Sequence, residues 1–397
     1  MWRRRGRRPP PVQRLSQWRG LGPLQPLDFL NAAAASGREW LGRTSPRPAV
    51  GAVVVRDGQI IGQSATAPGT GPHAEAQALE QAGALARGAD LYTTLEPCRH
   101  HGQTPPCTEA IVAAGIGRCF YAYPDPNPAA TGGAHELAAA GVETARVAGC
   151  DAAFDGLKGY LHHTRTGRPW VIAKWAMSLD GRVALPAGQR GYLSSPQSLS
   201  LVHRRRAEVD AIVVGSGTVL ADDPRLTVRA GIAVNRQPLR VVLDGRARLP
   251  ADAAMLGMPG KTICFVGAAA PPERCAALVE SGCFVQIQDD PPRADPNAVL
   301  QRLGAMGVQS ALLEGGPTTI GSFLAAQLIN EIEVFLCPVL VGDPASPVAL
   351  RGLPEGFLSP GLELLESGTV GPDLWLRARP RGSIDWDGET QPERTGA

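Results

Sequence analysis

The sequence predicts two α/β domains in tandem, on three observations. A length of 397 residues exceeds one average domain and suggests two. An apolar fraction of 44% is enough to build real cores, which excludes global disorder. Strand-like and helix-like patterns alternate twice along the chain, once from Val50 and again from Pro169.

The first alternation opens with Val53-Val54-Val55, Arg56-Asp57-Gly58 and Ile60-Ile61. Asp-Gly between two apolar runs predicts a hairpin. His73 to Ala86 is rich in Ala, Leu, Glu and Gln and reads as a helix. Ala89 to Leu95 reads as a strand that runs into Glu96-Pro97-Cys98. Pro106 to Ala114 is helical, with proline at its first turn, and Arg118 to Tyr123 is a strand. In the second alternation the strands are Trp170–Lys174, Ala211–Val214, Leu239–Leu243, Thr262–Val266, Ala311–Leu313 and Glu333–Val341. Helical patterns cover 196–206 and 317–328, and the polar stretch Thr164–Arg168 places the join between 150 and 168. The expected organisation is an Arg-rich extension over 1–26, read as disordered, domains over 27–155 and 165–380, and a polar tail over 381–397.

Composition excludes several classes. No uncharged apolar run approaches the ~18–20 residues of a membrane span, so a soluble, cytoplasmic chain without membrane association is expected. The net charge is +2, and Arg3, Arg4, Arg5, Arg7, Arg8, Arg14 and Arg19 supply seven positive charges before the first acid, Asp28; the rest of the chain stands near −5. A body of that sign is a poor match for a nucleic-acid backbone. The arm has no apolar core of a secretory signal, and a solvated extension is its plainest reading. Eight cysteines spread over a chain without an export signal argue against a disulfide framework. Cys119, Cys264 and Cys337 sit inside apolar strand-like runs and read as small buried hydrophobes.

Cys98 and Cys107 keep different company. His73-Ala74-Glu75, then Pro97-Cys98, then Cys107 supply one imidazole and two thiolates, three ligands for a zinc ion with a fourth position for water. That open position marks a catalytic site, where bound Zn²⁺ draws the pKa of water from ~15.7 towards ~7 and yields a hydroxide nucleophile. Glu75, two residues from His73, is placed to shuttle protons without binding metal. His-x-Glu followed by Pro-Cys and a further Cys is the signature of zinc-dependent base deaminases. His100 and His101 read as loop or substrate-contacting residues rather than ligands.

The string Pro97-Cys98-Arg99-His100-His101-Gly102-Gln103-Thr104-Pro105-Pro106-Cys107 resembles one branch of those enzymes, the bifunctional riboflavin-biosynthesis deaminase/reductases. Asp125-Pro126-Asn127-Pro128 and Pro48-x-Val50-Gly51 are similar to further segments of that family. Three strings in the second half extend the resemblance: Lys174-Trp175-Ala176-Met177-Ser178-Leu179-Asp180-Gly181-Arg182, Ala221 to Arg229, and Leu313-Glu314-Gly315-Gly316-Pro317. The resemblance covers residues 45–375 and implies a cytidine-deaminase-like three-layer domain followed by a dihydrofolate-reductase-like domain. It implies Zn²⁺ and NADPH as cofactors, a pyrimidine ribosyl phosphate as substrate, and a homo-oligomer.

By motif, Ala176, Thr218 and Asp222 are expected to contact NADPH, together with Gly316, Pro317, Thr318, Thr319, Ile320, Gly321 and Ser322. Arg206, Leu226, Arg229 and Glu314 are expected to contact substrate. The local chemistry agrees, since Gly315-Gly316 lets backbone N–H groups approach a phosphate and Pro317 suits a first helical turn. Gly215-Ser216-Gly217-Thr218 reads as a second flexible loop, and neither turn matches the Rossmann fingerprint. Several positions depart from the family. Arg47 replaces an asparagine, Thr131-Gly132-Gly133-Ala134 partly replaces the glycines usual after the Asp-Pro-Asn-Pro run, Arg190 replaces a serine, and Tyr192 stands for a tryptophan. Tyr192 is expected to stack on the cofactor, and Arg190 to pair with a substrate phosphate. These departures keep two alternatives open: a diverged relative with one silent domain or a changed substrate, and a deaminase acting on nucleic acid through the basic arm.

Overall fold

The computed structural model describes residues 25–102, 104–189, 191–229, 231–232, 234–288 and 295–382. The Arg-rich arm through residue 24, Arg190 and the tail beyond residue 382 lie outside the described residues. The chain divides into two compact units. One holds residues 49–156 with the segment up to Glu39; the other holds Leu157 onward together with Trp40–Pro48.

The first unit runs α1 (Pro26–Arg38), β1 (Gly51–Arg56), β2 (Gln59–Ala65), α2 (Ala74–Ala82), β3 (Asp90–Leu95), α3 (Cys107–Ala114), β4 (Arg118–Tyr123), α4 (Gly133–Ala139) and β5 (Glu143–Arg146). Its sheet has the order β2-β1-β3-β4-β5, with β1 antiparallel to both neighbours and β3, β4 and β5 parallel. The β1–β2 turn is the expected hairpin, with Asp57 at φ 49° and Gly58 at φ 71°, the left-handed pair that matches strand twist.

Two glycines show how the layers form. A Cβ on Gly51 would stand 1.7 Å from the Ala33 carbonyl of α1, and one on Gly62 would stand 2.1 Å from the Ala78 carbonyl of α2. Gly62 pairs with Val54, three residues from Gly51 on β1, so the two glycines face opposite sides of the sheet. Helices α1 and α2 therefore cover opposite faces, and β1 from Gly51 to Val55 is buried on both. This is the three-layer architecture the resemblance implied.

Helix α5 (Asp151–Thr166) crosses the division between the units. The sequence reads its end as a polar linker; its buried Leu157 and Leu161 instead recur at helical spacing. The second unit continues with β6 (Trp170–Ser178), α6 (Pro196–Glu208), β7 (Ala211–Gly215), α7 (Ser216–Asp222), β8 (Leu239–Leu243), β9 (Thr262–Gly267), α8 (Pro272–Glu280), β10 (Phe284–Gln288), α9 (Pro296–Ala305), β11 (Ser310–Leu313), α10 (Pro317–Ala325), β12 (Glu331–Cys337), β13 (Leu362–Val370) and β14 (Asp373–Pro380).

Its sheet has the order β10-β9-β8-β7-β11-β6-β12-β14-β13. Strands β10 through β12 run parallel, and β14 and β13 add an antiparallel hairpin at the β12 side. This is the α/β arrangement that the second alternation of strand and helix patterns predicted. Val171, Ala173, Val213 and Leu313 on the strands pack with Val299 and Leu303 of α9 and Phe323 of α10. Two local expectations fail. Strand β12 ends at Cys337 rather than Val341, because Pro338 cannot donate to a ladder. The Gly215–Thr218 stretch is the start of α7 rather than a flexible loop. Cys119, Cys264 and Cys337 are fully buried, as read from their apolar surroundings. No described helix is long and apolar enough to cross a membrane.

Candidate active sites

In the first unit, three elements converge on one point. His73 caps the N-terminus of α2, Cys107 is the first residue of α3, and Cys98 follows β3 by three residues. His73 Nδ1 lies 3.2 Å from Cys107 Sγ and 3.4 Å from Cys98 Sγ, and the three ligand atoms fall within 4.8 Å of one another. Tetrahedral zinc with Zn–N of about 2.0 Å and Zn–S of about 2.3 Å needs ligand edges of about 3.5–3.8 Å. These donors fit that geometry, and they are the sole such group among the described residues. The Cys107 thiol bonds to Cys98 and draws it down to about 4 against the effect of burial, with His73 adding to the pull. That same bond, followed by burial, pushes Cys107 up. Two sulfurs in contact with an imidazole are a donor set that a cation satisfies at once.

Glu75 sits in the first turn of α2 and is 3% exposed. Burial raises its carboxyl above the ordinary range. Glu96, to which the sequence reading gave no role, is also buried. Its Oε1 accepts from the N–H groups of Gly132 (3.2 Å) and Ala134 (3.0 Å), and its Oε2 from Asp125 N–H (3.3 Å). It thereby holds the Asp125–Ala134 segment onto the strand end that carries Cys98. Gly133 is required there, since a Cβ would stand 1.8 Å from the Pro97 carbonyl. Arg47 groups by its contacts with the second unit.

The second unit carries a cleft of about 1890 Å³. Among the residues expected to contact cofactor, Ala176, Tyr192, Thr218, Asp222, Gly316, Pro317, Thr318, Thr319, Ile320 and Ser322 line it. Gly321 does not; a Cβ there would stand 2.0 Å from the Arg351 carbonyl, so its Cα faces packed backbone instead of the cleft. Arg206, Leu226, Arg229 and Glu314 also line the cleft, and Arg190 lies outside the described residues. Burial raises the Asp222 carboxyl. Gly215 and Gly315 both approach Thr319, at 2.3 Å and 2.7 Å from an added Cβ, so the starts of α7 and α10 pack edge to edge.

At the end of β11, Glu314 accepts a two-pronged bond from Arg206, Nε at 2.6 Å and Nη2 at 3.0 Å, and Lys174 Nζ lies 3.4 Å away. Burial alone would raise this carboxyl; Arg206 and then Lys174 outweigh it and hold Glu314 down to about 2. Leu226 is buried at φ 48°, a left-handed conformation that a leucine adopts only under constraint. The constraint comes from its neighbours: Thr227 O accepts from Arg206, and Thr227 Oγ1 from Arg229. Lys174 opens one of the family-like strings, but the sequence reading assigned it no contact. His203, whose Nδ1 accepts from Arg229 N–H at 3.3 Å, was missed because no motif carries it.

Residues 27–123 match the cytidine and deoxycytidylate deaminase zinc-binding region, and residues 169–376 match the RibD C-terminal domain. The riboflavin biosynthesis protein RibD of Bacillus amyloliquefaciens is 38% identical over 366 residues, spanning 90% of this chain and 97% of its own length. The RibD of Mycobacterium tuberculosis is 40% identical over 339 residues, or 84% and 91% of the two chains. Among solved structures, Acinetobacter baumannii RibD superposes with a TM-score of 0.79 at 34% identity, covering 89% of this chain and 98% of that one. Two domain matches in this order, with relatives aligned across nearly their whole length, place the chain in the RibD family of bifunctional riboflavin biosynthesis deaminase/reductases.

Proposed function

We propose that the first unit deaminates 2,5-diamino-6-(5-phosphoribosylamino)pyrimidin-4-one and that the second reduces the ribosyl chain of the product to ribityl with NADPH. A Thermotoga maritima relative at 29% identity and TM-score 0.79 is a diaminohydroxyphosphoribosylaminopyrimidine deaminase/5-amino-6-(5-phosphoribosylamino)uracil reductase. The observation that carries the reading is the meeting of His73, Cys98 and Cys107 beside the buried Glu75.

His73, Cys98 and Cys107 would hold zinc, which when bound supplies Lewis acidity that brings water towards ionisation at neutral pH. Glu75 takes a proton from water as its oxygen joins the amine-bearing ring carbon. Glu75 passes that proton to the adjacent ring nitrogen, then carries the proton of the new hydroxyl to the amine, so ammonia leaves and a carbonyl remains. In the second unit, NADPH supplies the hydride when bound. Ala176, Tyr192, Thr218, Asp222 and the cleft-lining residues of the run from Gly316 to Ser322 orient it. Gly315 and Gly316 open the backbone at the start of α10 for its pyrophosphate. Arg206 and Arg229 face the phosphate end of the substrate, and Glu314 and Leu226 its ring. That hydride would go to C1′ as the C1′–O4′ bond breaks, and O4′ would take a proton from water to leave the open ribityl chain.

Replacing Glu75 tests the division of labour between metal holding and proton transfer. Glu75→Gln is expected to keep the zinc content of the parent protein while deamination falls ~10²–10⁴-fold. Loss of zinc together with activity, or deamination at the parent rate, would remove Glu75 from the proton-transfer role.

A further inference from the structure

The charges at the second unit's cleft continue behind its wall. Strands β11, β6, β12, β14 and β13 are successive neighbours in the sheet. One row of residues crosses them: Glu314 at the end of β11, Lys174 on β6, Glu333 on β12, Arg377 on β14 and Glu366 on β13. Lys174 pairs in register with Glu333, Glu333 with Arg377, and Arg377 with Glu366, while Glu314 follows Leu313, whose partner is Ala173. Register partners share a face of the sheet and stand about 5 Å apart, so the row alternates in sign between close neighbours.

Glu333 is the centre of the row and is 1% exposed. Its Oε1 accepts from Arg205 Nε at 3.1 Å and from Trp375 Nε1 at 2.7 Å, and its Oε2 has no hydrogen-bond partner among the described residues. Glu333 does not line the cleft, yet it adjoins both cations that hold Glu314. Lys174 is its register partner on β6, and Arg206 is the next residue after Arg205 on α6. Packing does not explain a carboxylate here. Burying one costs more than burying an apolar side chain of its size, and Phe335, two residues along β12 on the same face, already packs with Val202 and Trp375.

We infer that Glu333 is a positioning residue for the reduction: from behind the cleft it restrains Lys174 and, through Arg205, the helix that carries Arg206, and so fixes both cations of Glu314. The inference rests on the reading that Arg206 and Glu314 contact the ribosyl phosphate. Lys174 stands between two buried carboxylates, and its bond to Glu314 is the long one of the set at 3.4 Å. Without the Glu333 charge, Lys174 is drawn to Glu314 alone, and a donor of the substrate ring must displace it to reach that carboxylate.

The chain has three lysines, Lys158, Lys174 and Lys261, which makes Lys174 readable by NMR of the full chain labelled with ¹³C at lysine Cε. Its signal is the one missing from Lys174→Arg. Glu333→Gln is expected to move that signal in the protein without substrate. In steady-state reduction it is expected to raise KM for the deaminated ribosyl phosphate about five- to tenfold and to leave KM for NADPH at the parent value. Glu333→Asp keeps the charge and should fall between the parent and Glu333→Gln on both readouts, and it carries the test if Glu333→Gln does not fold. Glu366→Gln, at the exposed end of the row, should match the parent. An unmoved Lys174 signal, equal rises in both KM values, or a loss confined to thermal stability would make Glu333 a structural residue and overturn the inference. A parent protein that reduces no ribosyl phosphate would overturn the reductase reading instead, and the Lys174 signal would then decide for or against Glu333 by itself.

Discussion

At the scale of single residues, the second unit's cleft holds a buried charge. Glu314 survives burial because Arg206 and Lys174 both face it. Its folded value of about 2 lies below the unfolded value of 4.5, so its stabilising contribution is full above pH 4.5 and drains as pH falls from there through 2. The size is up to about 3 kcal/mol. Glu314→Gln should be less stable than the parent at neutral pH, with the gap closing as urea melts are taken from pH 5 towards 2. A gap independent of pH would remove the charge from the explanation. This cluster was only partly legible in sequence. Glu314 and Arg206 sit in family-like motifs, but Lys174 lies 140 residues from its partner, and no local pattern announces the pair. The candidate metal ligands His73, Cys98 and Cys107 were readable because proline and helix starts bracket them locally, and Glu96 was not, because its partners are backbone N–H groups on a distant loop.

At the scale of elements, close backbone packing positions the deaminase residues. Helix α2 carries Glu75, is capped by His73, and rests on β2 where Gly62 leaves room for the Ala78 carbonyl. Gly62→Val must push that helix off the sheet. The expected cost is about 1–3 kcal/mol in thermal unfolding, with faster zinc loss to a chelator. Gly156→Ala, in α5 with nothing within 4 Å of the new Cβ, should cause neither change. Equal effects from the two substitutions would count against a packing role for Gly62. Elements with strong periodicity or clear turns were legible, such as the Asp57-Gly58 hairpin and β4. Strand β13 was not, because it is an edge strand exposed along nearly its whole length and shows no buried alternation. Helix α7 was read as a loop because Gly215 and Gly217 flank its start; the close approach to Thr319 explains Gly215.

At the scale of the whole chain, two units carry two chemistries in the order in which the product of one would feed the other. The fold class was legible because strand and helix signals alternate twice; the division within α5 was not, since polar residues on a helix surface resemble a linker. The central claim is that both units act on one metabolite. Its most direct test is to incubate the purified chain with 2,5-diamino-6-(5-phosphoribosylamino)pyrimidin-4-one and NADPH and to identify the products by mass spectrometry. The account predicts a product that is both deaminated and reduced to the ribityl form. Untouched substrate, with the deaminated intermediate still reduced when supplied, would contradict the claim for the zinc site, and turnover of neither compound would contradict it for both.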